Sequence, residues 1–95
     1  MNHFKLLPLL FGLLAGCASA PVQEMSDARQ ALQAARQAGA EQVVPDAIGG
    51  AERLLSEAEK ELELGEYRAA RIKAVAAKES AIKAREKAEA AQKAY

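Results

Sequence analysis

The 95-residue sequence has no tryptophan and no threonine, one cysteine (Cys17), one histidine (His3) and only two phenylalanines, Phe4 and Phe11. With a single thiol it has no internal disulfide and no redox pair. With its one histidine at position 3, it cannot assemble a Ser–His or Cys–His nucleophile in the body of the chain. The same scarcity removes a soft-metal site of clustered Cys and His. The four serines, Ser19, Ser26, Ser56 and Ser80, fall in the tether, near the start of the first helix or on helix surfaces. Glu57, Glu59, Glu61 and Glu63 crowd together, but a helix turns them onto different faces. There is no glycine-rich phosphate loop. The basic stretch after residue 66 lacks the aromatic interleaving that stacks on bases. Lys and Arg balance Asp and Glu at 13 each, so no overall field selects nucleic acid or an acidic surface. These absences lead to the expectation of no catalytic residues, no metal, no cofactor, no nucleic-acid partner and no enzymatic activity.

What is present favours helix. From residue 23 onward the chain is built from Ala, Glu, Lys, Arg, Leu and Gln, the strongest helix formers. Valine and isoleucine are few. Large apolar side chains are also few, and a buried methyl-sized group contributes only about 0.8 kcal/mol. The fold class expected is all-α: a short helical bundle of modest stability, made of an N-terminal helix and an antiparallel hairpin of the two helices that follow.

The first 16 residues differ from the rest. Met1–Lys5 carries one lysine, and Leu6–Ala15 is apolar apart from Pro8 and Gly12. That run is half of the roughly 20 residues needed to span a bilayer, so it reads as the apolar region of a signal peptide. It ends in Leu14-Ala15-Gly16-Cys17, which resembles the lipobox of bacterial lipoproteins at all four positions. The resemblance implies cleavage before Cys17 and attachment of acyl chains to it. The competing reading is an ordinary secretory signal cut after Ala18-Ser19-Ala20. Ala18 and Ser19 stand where lipoproteins kept at the inner membrane commonly have Asp. The resemblance therefore implies the outer membrane, periplasmic face, in a bacterium with two membranes. The expected organisation is 1–16 signal peptide, 17–21 lipidated cysteine and tether, and 22–95 Ala-rich helical domain.

Within that domain, Met25, Ala28, Leu32 and Ala35 recur at helical spacing over a first helix from about 22 to 38, with Pro21 at its start and Gly39 as its stop. Residues 40–44 read as a linker. Pro45 starts a second helix with Ile48, Ala51, Leu55, Ala58 and Leu62 on one face, and Gly65 ends it. Gly49-Gly50 interrupts its first turns, either as a frayed start or as a place where another helix comes close. A third helix carries Ala70, Ala74, Ala77, Ala81, Ala84, Ala88 and Ala91, an unbroken 4-3-4-3-4-3 stripe suited to close helix packing.

Charge is segregated along these helices. Residues 22–66 hold ten acids and four bases; residues 67–95 hold three acids and eight bases. Acids flank the second helix's stripe and bases flank the third's. A turn near Glu66 folds the two antiparallel and brings together residues whose numbers sum to about 132. The interhelix pairs expected are Glu59 with Arg71, Glu52 with Lys78, and Glu61 with Lys73, which would set register more than stability.

Gly65-Glu66-Tyr67 with Ala70 and Ala77 resembles the centre of a tetratricopeptide repeat, where the glycine permits the turn and the tyrosine packs across it. One copy implies a single hairpin rather than a peptide-binding solenoid. Over roughly residues 22–92 the chain resembles a bacterial lipoprotein family whose domain has no known function. Its members share Ala-Gly-Ala-Glu (Ala38–Glu41 here), a following proline (Pro45), an Ala/Leu/Glu helix, Gly-x-Tyr (Gly65, Tyr67) and an Ala-rich helix. In some members an OmpA-like peptidoglycan-binding domain follows. This sequence reaches Tyr95 without one, which leaves direct peptidoglycan binding doubtful.

The function expected is that of a membrane-anchored cell-envelope lipoprotein with a structural or protein-binding role, partnered by another envelope protein or by itself. The alternative resembles the short murein lipoproteins, in which alanine-zipper helices trimerise and a terminal lysine joins peptidoglycan. Ala70–Ala91 fits that zipper, whereas Pro45 and Gly65 interrupt the long helix it requires, and Lys93 sits two places inside Tyr95.

Overall fold

The computed structural model describes residues 20–94. Within them the chain forms four helices and no strand: α1 (Val22–Gln37), α2 (Ala40–Val43), α3 (Pro45–Glu63) and α4 (Tyr67–Lys93). They make a short all-α bundle.

Proline and glycine set the boundaries. Pro21 precedes α1, and its carbonyl accepts the Met25 N–H at 3.0 Å, the first bond of the helix. Gly39 (φ 85°) and Gly65 (φ 78°) take the left-handed conformation that other residues resist. At Gly65 the helix stop is complete. The Glu66 N–H donates to the Glu61 carbonyl at 2.8 Å and the Gly65 N–H to the Leu62 carbonyl at 3.1 Å, which satisfies two otherwise orphaned acceptors. Pro45 occupies the first turn of α3, where its missing N–H costs nothing. The expected linker 40–44 is mostly helical: Ala40–Val43 adds one short turn, with Ala40 fully buried against the core. A single buried alanine in five residues gives no periodicity to read.

Direction follows from the polar contacts that join the helices. Glu24 meets Arg71 at the start of both α1 and α4, and the Ala38 carbonyl accepts the Gln92 side-chain amide where both end. Those helices therefore run parallel. Lys73 meets Glu61 and Arg36 meets Glu52, so α3 runs antiparallel to both. The path is up, down, up. The α3–α4 turn lies beside the start of α1; α2 and the C-terminal end of α4 lie at the other end.

α4 is the helix on which α1 and α3 both pack, and those two touch each other less. The core shows why its stripe is alanine. Ala70, Ala74, Ala77, Ala81, Ala84 and Ala88 are all at most 2 % exposed, with Ala91 partly covered where the helix leaves its neighbours. One narrow row of methyl groups serves two helices converging on it, which a row of leucines would hold apart. The larger core side chains come from the partners: Met25 and Leu32 from α1, Ile48 and Leu55 from α3. Leu62, expected in the core, is only partly buried beside the turn.

Gly49 and Gly50 sit inside α3, and a methyl group added at either meets no neighbour within 4 Å. No helix approaches there, so the close-contact explanation of the pair does not hold. Helix interiors favour alanine over glycine by roughly 0.5–1 kcal/mol. Gly49→Ala and Gly50→Ala are accordingly expected to raise stability by about that much each. Gly65→Ala, forced to positive φ, is expected to lower it by roughly 1 kcal/mol. Thermal melts of the three variants check the opposite signs.

Candidate functional site

The strongest functional signal in the sequence, Leu14, Ala15, Gly16 and Cys17, lies outside the described residues together with the rest of residues 1–16. What the structure does place is the stretch of chain that follows it. Ala20 and the fully buried Pro21 lead straight into α1, with the Val22 N–H bonded to the Ala20 carbonyl at 2.8 Å. In sequence, only Ala18 and Ser19 lie between Cys17 and the first described residue, Ala20. The start of α1 lies at the end that holds the α3–α4 turn.

The polar residues form a network along the seams. Lys73 Nζ lies 2.5 Å from Glu61 and 3.7 Å from Glu57. One cation thus bridges two acids that α3 itself sets at i,i+4, where they would otherwise repel. Glu61 is the most covered of the paired acids, at 16 % side-chain exposure, and its second oxygen is sealed from solvent without a hydrogen-bond partner. The Glu61–Lys73 pair is the expected one, in the expected register.

The other two expected pairs are redistributed. Glu52 is held by Arg36 of α1 at 3.0 Å rather than by Lys78, and Arg36 also donates to Glu41 at 2.9 Å. Arg71 Nε donates to Glu24 of α1 at 3.1 Å, while Glu59 is exposed. The physical reason is the third helix. In an isolated α3–α4 hairpin the expected pairs would face each other, but α1 lies along both helices and presents Glu24 and Arg36 to the same flanks. A signal for both was present: each stands next to a core position, Met25 and Ala35, as Glu52 stands next to Ala51. Tyr67, expected to pack across the turn, is the first residue of α4 and stays 39 % exposed.

The Lys73 ammonium is held above its usual 10.5 by the hydrogen bond it donates to Glu61, with desolvation opposing and Glu57 adding to the rise. A raised lysine stabilises the fold fully below its unfolded value and ceases to do so as pH climbs through the folded one. The bundle is therefore expected to lose stability as pH passes above 10.5. In Lys73→Arg that alkaline loss should be smaller, because guanidinium keeps its charge. Thermal melts of both proteins across the alkaline range measure the difference.

Among the described residues no group of His, Cys, Asp and Glu is arranged to hold a metal ion. Two shallow depressions, of about 340 and 280 Å³, share Glu89 and Gln92 near the end of α4 and open to solvent between polar side chains. No helix among the described residues is long and apolar enough to cross a membrane. No protein-family model matches the chain, and comparison with curated proteins and with solved structures finds no match.

Proposed function

We propose that the chain is a lipid-anchored cell-envelope protein whose helical bundle has a structural or protein-binding role. The lipobox supplies the anchor at Cys17, and Ala18-Ser19 direct it to the periplasmic face of the outer membrane. The bundle is the part that meets an envelope partner. Outward-facing Ile82, midway along α4 and 42 % exposed, is an apolar residue that such a partner would cover.

One observation favours this reading over the murein-lipoprotein alternative. An alanine zipper between chains needs its stripe free to meet other copies. Here Ala70–Ala88 is already covered by α1 and α3 of the same chain. Trimerising through that stripe would require the bundle to open.

The test is biochemical. Peptides from the membrane-purified protein are expected to include an N-terminal peptide beginning at Cys17 with the mass of attached diacylglycerol. Exhaustively digested peptidoglycan is expected to yield no muropeptide linked to this chain. An unmodified N-terminus after Ala20 would overturn the anchor; a muropeptide on Lys93 would replace this reading with the murein-tethering one.

A further inference from the structure

Exposed large apolar residues are unevenly placed on this bundle. Val22 (67 % exposed) opens α1, Leu64 (73 %) sits in the α3–α4 turn, and Tyr67 and Ile72 lie in the first two turns of α4. All four belong to the same end. Of the other two, Ile82 is midway along α4, and Val43 is at the opposite end. Leu64 and Tyr67 flank a tight turn whose geometry is fixed by Gly65 and its two capping bonds, so this apolar tip is held out by a rigid frame.

The tip is also where the chain leaves toward Cys17. Two residues, Ala18 and Ser19, separate Cys17 from Ala20, and an extended chain covers at most about 3.6 Å per step, so the three steps reach only about 10 Å. An acylated cysteine lies at the bilayer surface. A domain held that closely must bring its near end to the headgroups.

We propose that the end of the bundle formed by Val22, Leu64, Tyr67 and Ile72 seats in the lipid bilayer interface, so that the domain stands on the membrane end-on. The proposal rests on the lipid-anchor reading. Apolar side chains at a tip, with a tyrosine whose ring suits the headgroup region, fit that occupant. The charges nearby are of both signs, Glu24, Glu63 and Glu66 with Lys60, Arg68 and Arg71, so the seat does not select anionic lipid. The contact is apolar, and zwitterionic bilayers suffice. Standing end-on also leaves α2 and the end of α4, on the far side, directed away from the membrane.

The absence of tryptophan makes the test direct. Single Leu64→Trp and Val43→Trp variants of the full acylated protein are reconstituted into phosphatidylcholine vesicles, with and without lipid brominated near the top of the acyl chains. Flotation with the vesicles is read first, then tryptophan emission. The expected result is that both variants float, and that Leu64→Trp emission shifts to the blue and is quenched several-fold more than that of Val43→Trp. If both float and Leu64→Trp is not quenched, the seat is wrong and the anchor stands. If both are quenched equally, the bundle lies along the surface and the end-on arrangement is overturned. If neither floats, the anchor reading fails and this proposal fails with it.

Discussion

Ala81→Leu is expected to destabilise the soluble fragment 18–95 by about 1–3 kcal/mol, and Ala74→Leu with Ala81→Leu to unfold most of it at room temperature. Both alanines are fully buried in the row that α1 and α3 share, so an isobutyl group placed there collides with two helices at once. A fold of this size has roughly 0.05–0.15 kcal/mol of stability per residue, and a core built largely from alanine lies toward the low end. Leucine and alanine differ by only a few tenths of a kcal/mol in helix propensity, so the loss reports packing. Ala90→Leu, on the exposed face of the same helix, supplies the control and should change stability by no more than about 0.5 kcal/mol. Circular-dichroism melts distinguish the two. If Ala81→Leu proved as stable as the parent, the helices would have room between them that a close-packed alanine seam excludes.

That seam is the part of the fold most legible in the sequence. The expected buried residues of α1, Met25, Ala28, Leu32 and Ala35, are those found buried, and six of the seven alanines in the α4 stripe are in the core. Periodicity carries this information because a helix face is a property of one segment. The turns were legible for the same local reason: Gly39 and Gly65 adopt the positive φ that their places after helical runs suggest. What was not legible depends on a third body. The partners of Glu52 and Arg71 are set by α1, whose position beside the hairpin no spacing within α3 or α4 encodes. Lys73 kept its expected partner, Glu61, the most covered of the paired acids at 16 % side-chain exposure. Gly49-Gly50 is the reverse case: of its two local readings, a frayed start or a close helix approach, the second fails, because an added methyl group at either residue meets nothing within 4 Å. The candidate site divides similarly. The proposed lipobox is read from four adjacent residues; that the start of α1 shares an end of the bundle with the α3–α4 turn emerges only from the up-down-up path.

Cys17→Ser is expected to abolish the acylated mature form and, with it, firm membrane attachment of the processed protein. Each buried CH₂ of an acyl chain contributes about 0.8 kcal/mol to bilayer binding, and one chain alone binds only reversibly, whereas two or more hold a protein stably. Without them the bundle offers the membrane little. No described helix is long and apolar enough to span, and the tip presents only the four exposed side chains Val22, Leu64, Tyr67 and Ile72. The effect is therefore close to all-or-none, and it appears in two measurable places. Serine does not accept diacylglycerol, so the variant either keeps residues 1–16 and runs as a heavier precursor, or loses them by another cleavage and appears in the soluble fraction. A precursor that remains in the membrane is held by its uncleaved apolar segment, and its mass identifies it. The contrary result is a Cys17→Ser protein of mature mass that stays with membranes through high-salt and carbonate washes. That outcome would mean the bundle itself holds the membrane or a membrane-bound partner, and that the lipobox match at residues 14–17 is incidental.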